Sequence, residues 1–456
     1  MLRIFKQYYP IRNILFVIGE GAFIFFSVLM AGCLLLGTGF FVESVFLLLK
    51  IFLVASICQI CLYYNGLYDS KLTSTYREMI LRLVQSLGIA AMLLALVYAV
   101  FPAFAISSGV FAVSICFIIA FIVLWRIIYT YILNHGVFNE KIMLLGEASG
   151  LVRDIARAIE EDKDCGYEVA ALMTGDKPTD TGKPGYEDLF QNAANLKIDK
   201  IVVAIEERRG RFPVRELLRC RVDGIEVLEG TSFYEMLTGK LIVEKINPSW
   251  LIFSDGFRKS RTRKIVKRIC DLVFSALMLA VLSPILAFVA VLIKLDSKGP
   301  VFFSQERVGE NKKLYTIYKF RSMIPEAEEK TGPVWAKTND SRVTRIGKFI
   351  RKWRIDELPQ LFNVIKGEMS FVGPRPERAF FVKELETRIP YYAERFSVKP
   401  GVTGWAQVSY AYGASVEDAR EKLNYDLFYI KNMTLLMDMM VILRTVKTVL
   451  FGEGAR

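Results

Sequence analysis

Residues 272–293 read LVFSALMLAVLSPILAFVAVLI, an apolar run about long enough to cross a bilayer as a helix, with Ser283-Pro284 at its centre. Proline removes a backbone donor there, so the helix is expected to bend, and serine can satisfy a carbonyl that proline leaves free. Lys264, Lys267 and Arg268 precede the run, and Lys294 and Lys298 follow it. Cationic flanks mark the cytoplasmic side of a membrane segment. A helix spanning 270–294 that enters, turns at Ser283-Pro284 and returns to the same face satisfies both facts. A kinked fifth span is the alternative, and it would carry everything after it across the membrane.

Working outward toward the N-terminus, four more apolar runs of spanning length occupy Ile14–Leu36, 45–62, 83–100 and 110–131. The first lacks an arginine-rich presequence or a small-residue cleavage site, so it reads as a retained span. Arg3, Lys6 and Arg12 precede it, and Lys71, Arg77 and Arg82 lie between the second and third runs. The other two loops hold Glu43 and no charge, respectively, which puts both ends of the four-helix transmembrane bundle, 1–135, in the cytoplasm. Glu20 and Lys50 fall at opposite ends of their spans and should not pair. Without a transport-like charge pair, the spans suit packing, and self-association as a homodimer is expected.

Composition agrees with a membrane protein of several domains. The chain has 456 residues, 53% hydrophobic and 23% charged, with a mean hydropathy of +0.33. Apolar and charged residues must therefore be segregated. A net charge of +12 could suit nucleic acid, lipid or phosphate; with a bilayer implied, membrane lipids and phosphate are the better partners and no nucleic acid is expected. Of the seven cysteines, Cys58 and Cys61 form a CxxC, but inside an apolar run it reads as packing. The chain has one histidine, His135, which leaves Ser–His hydrolysis, histidine-based zinc clusters and phosphohistidine chemistry poorly supported.

Across 140–256 the pattern becomes a soluble βα alternation, with strand-like runs at 142–145, 169–173, 201–205 and 225–228. This is a small Rossmann-like domain. Its first turn, GEASG from Gly146 to Gly150, lacks the middle glycine that lets a backbone approach a pyrophosphate, and Asp176 alone is a weak ribose signal. A structural or regulatory role fits better than a dinucleotide site.

Two adjacent stretches carry the chemistry. TRIGKFIRKWRI, 344–355, spaces apolar residues helically among Arg345, Lys348, Arg351, Lys352 and Arg354, and such a helix fits the headgroup plane. A solvated basic helix is the alternative, but it would expose Phe349 and Trp353 without reason. IDELPQLFNV follows, with Asp356 a good N-cap, Glu357 opening a helix and Pro359 tolerable in its first turn. A carboxylate there stays ionised, and an incoming phosphate meets the same helix terminus, which suits a nucleophile forming an acyl phosphate. Taken alone, such a pair is usually only a cap.

From about Lys264 to Arg456 the sequence closely resembles the monotopic polyprenyl-phosphate phosphoglycosyl transferases, the bacterial sugar transferase family. The matching stretches are KRICD (267–271), Ser283-Pro284, KGPVFFSQERVG (298–309) and YKFRSM (318–323). They continue with DELPQLFNVIKGEMSFVGPRPE (356–377), KPGVTGWAQV (399–408) and YDLFYIKN (425–432). The resemblance implies an α-rich monotopic catalytic domain over 264–456, cytoplasmic at the bacterial inner membrane, beneath a multi-pass anchor. It implies transfer of hexose-1-phosphate from a UDP-sugar to undecaprenyl phosphate, with UMP released, opening exopolysaccharide or other surface-glycan assembly. Asp356 would be the nucleophile and Glu357 its Mg2+-binding partner. Arg375, between Pro374 and Pro376, would clamp phosphate. Arg307, Lys319, Arg321, Arg351, Glu368, Asp426 and Asp438 fall on motif positions near the family's substrate site.

The N-terminal half looks like the long subgroup, similar to undecaprenyl-phosphate galactose or glucose phosphotransferases. One departure leaves the sugar open: many small members carry Asn-Gly-Arg where Ser409, Tyr410 and Ala411 stand. A membrane-bound nucleotide-sugar dehydratase is the main rival, since Tyr315 and Lys319 match YxxxK, but no glycine fingerprint on a strand precedes them. A decayed scaffold is the non-enzymatic rival, and intact Asp356, Glu357 and Arg375 speak against it. All chemical motifs follow Lys264, so a fragment from near Phe257 is expected to carry the activity alone.

Overall fold

The computed structural model describes the chain apart from residues 1, 5–6, 10, 38–45, 69–75, 135–138, 148–149, 163–164, 175–185, 187, 206–211, 246–255, 258, 325–341, 411–412, 414 and 452–456. Lys6, Glu43, Lys71, His135, Asp176, Arg258 and Ala411 lie outside the described residues.

The four N-terminal apolar runs are helices α1 (Ile11–Leu36), α2 (Leu47–Tyr64), α3 (Tyr76–Val100) and α4 (Ser108–Asn134). Ile24, Val28, Ile51, Leu62, Leu83 and Ile122 are buried where they pack together. Leu34, Phe52, Met92 and Leu96 point outward and are exposed. Helices that are apolar outside as well as inside need hydrocarbon rather than water as their solvent. This is a membrane protein. Glu20 and Lys50 do not meet, as expected, but the absence of any charge pair is corrected. Arg126, on α4, donates to Glu20 at 2.7 Å and to the Leu67 carbonyl at 3.0 Å, and both side chains are buried. The pair locks α1 to α4, because an unpaired ion there would carry an uncompensated desolvation cost.

Next come β1 (Glu140–Leu145), α5 (Gly150–Glu161), β2 (Tyr167–Met173), α6 (Leu189–Asn195), β3 (Lys200–Val203), α7 (Val214–Val222), β4 (Glu226–Glu229) and α8 (Gly230–Thr238). The strands form one parallel sheet in the order β2-β1-β3-β4. Central β1 is buried from Ile142 to Leu145, with one core on each face, which explains its unbroken apolar run. Gly146 serves strand packing, since a Cβ there would lie 2.6 Å from the Ala204 carbonyl oxygen.

Helix α9 (Arg261–Asp296) is continuous through Pro284. Pro284 leaves the Ala280 carbonyl without its helical donor, and Ser283 Oγ fills that role at 2.8 Å. After α9 come the hairpin β5 (Phe302–Val308) and β6 (Leu314–Phe320), then α10 (Arg345–Lys352), α11 (Gln360–Lys366), β7 (Ser370–Val372) and α12 (Ala379–Arg388). The chain continues through β8 (Gly401–Thr403), α13 (Trp405–Ser409), α14 (Val416–Asn432) and α15 (Leu435–Phe451). Near the start of α9, Asp271 accepts from Ser370 Oγ and Phe371 N, while Arg268 donates to the Ile365 carbonyl. At its other end, Ile293 packs with Phe320 and Ile350, and Asp296 accepts from Ile346 N.

One short segment ties the sheet region to this C-terminal part. Leu241 and Val243 belong to the same core as Leu427, Tyr429 and Met437. Trp405 Nε1 donates to the Gly239 carbonyl, and Leu241 N to the Asn424 carbonyl.

Candidate active site

Thr344 caps α10 by accepting from Gly347 N at 2.9 Å, and Gly347 lets the helix approach the Ser322 carbonyl, where a Cβ would be 2.0 Å away. Ile350 is buried, while Phe349 stays 55% exposed, consistent with an apolar side chain offered outward. After Trp353 the chain reverses at Arg354, whose φ of 54° is left-handed, and Ile355–Glu357 form one tight turn. Asp356 is therefore not the N-cap of a continuous helix, as its sequence suggested. Pro359 has no N–H to give Ile355, the bonds run from residue i to i+3, and α11 starts only at Gln360.

Asn363 fixes α11 against β6: its Nδ2 donates to the Thr316 carbonyl and its Oδ1 accepts from Tyr318 N. That pairing brings Lys319 to Glu357, where Nζ donates to Oε1 at 2.9 Å. Arg375 donates to the same oxygen at 2.7 Å, and Arg354 lies 3.7 Å from Oε2. Arg351 and Asp356 interact electrostatically in the same basin.

The two adjacent carboxylates are driven apart. Burial pushes Asp356 up, and the neighbouring Glu357 charge adds to it, so its pKa is raised to about 6 despite Lys319, Arg351 and Arg375. Burial also pushes Glu357 up, but Arg375, Lys319 and Arg354 outweigh it and hold it well below the usual carboxylate range. Lys319 is lowered by burial, with Arg375 repelling it and Glu357 opposing the shift.

Asp356, Glu357, Lys319, Arg351 and Arg375 thus come together. Arg307 lies beside them, donating to the Pro376 carbonyl at 3.3 Å and to Gln305 Oε1 at 2.7 Å. Others have different partners. Arg321 closes the C-terminal end of α9 through the Ile293, Ser297 and Lys298 carbonyls. Glu368 accepts from Asn363, Asp426 from Arg395, and Asp438 from Lys267 and Tyr429. Two cations near this cluster are not among the expected site residues, the sequence having assigned Arg354 to the headgroup-facing helix. Arg354 carried a signal, three residues before Glu357, whereas Arg395 carried none.

Among the described residues, no group of three or more His, Cys, Asp or Glu is arranged to hold a metal. Glu357 already has cations on both oxygens. A magnesium ion here would have to be held by Glu357 together with the donor's phosphate oxygens, and no step is routed through one.

The profile of the bacterial sugar transferase family matches residues 262–452. Over 242 residues the chain is 43% identical to a UDP-N-acetylgalactosamine-undecaprenyl-phosphate N-acetylgalactosaminephosphotransferase from Aeromonas hydrophila, covering 53% of this chain and 56% of that protein. It is 32% identical over 350 residues to an undecaprenyl-phosphate glucose phosphotransferase from Komagataeibacter xylinus, covering 74% and 65%. It is 30% identical over 321 residues to a UDP-glucose:undecaprenyl-phosphate glucose-1-phosphate transferase from Escherichia coli K12, covering 69% and 68%. The chain belongs to the bacterial sugar transferase family. It spans between about half and two thirds of the length of the first curated relatives it matches.

Proposed function

We propose that the protein transfers a sugar-1-phosphate from a UDP-sugar to undecaprenyl phosphate through an aspartyl-phosphosugar intermediate. The observation that carries this is the split carboxylate pair: Glu357 is neutralised by cations, while Asp356 beside it remains available. An Asp356 oxygen attacks the β-phosphorus, forming an acyl-phosphate bond as the bond to the bridging oxygen breaks and UMP leaves with that oxygen's electron pair. An oxygen of undecaprenyl phosphate then attacks the same phosphorus and releases the Asp356 carboxylate. Lys319, Arg351 and Arg375 supply the positive field in which phosphoryl charge is held. A divalent cation would enter on the donor's pyrophosphate, as part of the substrate.

We read 1–135 as a four-helix transmembrane bundle, 140–256 as a Rossmann-like domain and 264–456 as the catalytic domain, cytoplasmic at the inner membrane. The re-entrant reading of α9 draws support from its two anchors. A straight helix would separate Arg268 and Ile293 by roughly 37 Å. Yet their partners, α11 and β6, are neighbours joined by Asn363. Exposed Leu277, Val281 and Phe288 lie between the anchors, as a segment dipping into hydrocarbon requires. Association as a homodimer through the N-terminal spans belongs to the same proposal, and sedimentation in detergent tests it.

Intact mass with UDP-sugar and no lipid acceptor tests the mechanism. Wild type gains a sugar-phosphate adduct that Asp356→Asn lacks. A wild type that turns over with acceptor yet is never modified overturns it. Because the relatives' names differ in the sugar, a panel of UDP-sugars assayed for UMP release identifies the donor.

A further inference from the structure

We infer that Arg395 and Arg307 are positioning residues that act through Arg375, by holding the backbone of the segment Gly373-Pro374-Arg375-Pro376-Glu377. This deepens the proposed reaction and rests on it.

The segment's own sequence creates the need. Gly373 N still donates to the Thr403 carbonyl, but Pro374 and Pro376 have no N–H, so beyond Gly373 this stretch lacks the donors to continue a sheet ladder. From Pro374 on it is held through its acceptors. Four consecutive carbonyls each receive a donor from elsewhere in the fold. Gly401 N bonds Pro374, and Val308 N bonds Glu377. Arg395 Nη2 donates to the Arg375 carbonyl at 3.0 Å, and Arg307 Nη1 to the Pro376 carbonyl at 3.3 Å. The stiff proline torsions and the four bonds together leave the Arg375 backbone one orientation, from which its guanidinium reaches Glu357 at 2.7 Å.

Arg395 is built for this task rather than for substrate. It is 6% exposed, and it also donates to Tyr392 Oη at 2.5 Å and to Asp426 at 2.9 Å. Asp426 thereby acquires a purpose at a distance from the phosphates: it aims Arg395. The same logic moves Arg307 away from direct substrate contact, since its guanidinium donates to the Pro376 carbonyl and to Gln305 and lies 3.9 Å from the Glu377 carboxylate.

The test is a double-mutant cycle on the full chain. Arg395→Lys keeps a cation for Asp426, so the buried charge stays paired and the fold is preserved, but one ammonium cannot serve the Tyr392, Asp426 and Arg375 acceptors in the guanidinium's fixed geometry. In the otherwise wild-type chain, UMP release by Arg395→Lys is expected to fall about tenfold, whereas in the Arg375→Ala background the same change moves it by less than about twofold. Equal losses in both backgrounds, or no loss in either, overturn the proposal. Binding of inorganic pyrophosphate, followed by calorimetry in the same four proteins, repeats the cycle without turnover. A wild type that binds pyrophosphate but releases no UMP counts against the proposed reaction alone, and the binding cycle then decides the role of Arg395.

Discussion

Lys319 and Arg375 converge on a single oxygen of Glu357, at 2.9 and 2.7 Å, from a strand and from a proline-flanked segment far along the chain. Because both cations face Glu357 directly, its negative charge is settled within the fold. Asp356 is left as the carboxylate whose state can change near neutral pH, and paired groups pushed apart in this way take different chemical roles.

A pH dependence follows from that split. Asp356 has a pKa raised to about 6, so as pH falls through that value it gains a proton and ceases to be a nucleophile. The rate of UMP release in a single turnover should have its acid limb near there. Glu357→Gln removes the adjacent negative charge and leaves Lys319 and Arg375 to act on Asp356, so the limb should move to lower pH. The rate should fall on the order of a hundredfold because the site's charge arrangement is disturbed. A limb that moves upward would refute the coupling.

Arg321 separates substrate contact from helix anchoring. Its guanidinium is buried and bonds the Ser297 and Lys298 carbonyls at 2.8 and 3.0 Å. Arg321→Met should destabilise the protein by roughly 2 kcal/mol or more, since the Ile293, Ser297 and Lys298 carbonyls lose a charged donor. The donor KM should not change. Thermal unfolding measured beside steady-state kinetics checks both halves, and a raised KM at unchanged stability would return Arg321 to the substrate site.

For the membrane geometry, the informative positions are Lys264 and Lys298, on either side of the Ser283-Pro284 helix. In a background without the natural cysteines, Lys264→Cys and Lys298→Cys should both react with an impermeant thiol reagent only from the cytoplasmic side. Reaction of the second from outside would mean a fifth span.

How much was legible depended on the range of the interactions. The apolar helices and the parallel strands follow from runs and alternation within the chain, and the structure has them at nearly the same residues. Ser283 was also readable, since its role is to bond a carbonyl three residues away. Asp356 as a helix cap was misread because the missing Pro359 donor resets the helix, a competition that the cap signal alone does not reveal. Arg126 with Glu20 and Arg395 with Asp426 join residues 106 and 31 positions apart, and no local spacing announces such pairs.

The 239–245 segment, which precedes the expected start of the catalytic part, packs into the C-terminal core. A fragment starting at Phe257 omits Leu241 and Val243, which are 3% and 1% exposed in the C-terminal core. It also leaves Trp405 Nε1 and the Asn424 side chain without Gly239 and Val243 as partners. Losing the burial of two aliphatic side chains costs roughly 3–6 kcal/mol, a large share of an ordinary domain's stability. A fragment starting at Gly239 keeps these contacts and should be folded and active in nanodiscs. The fragment from Phe257 should melt several degrees lower and lose most of its UMP release. If both behave alike, the 239–245 segment is a passive linker. If only full-length protein is active while the longer fragment is folded and membrane-bound, the Rossmann-like domain itself takes part in catalysis.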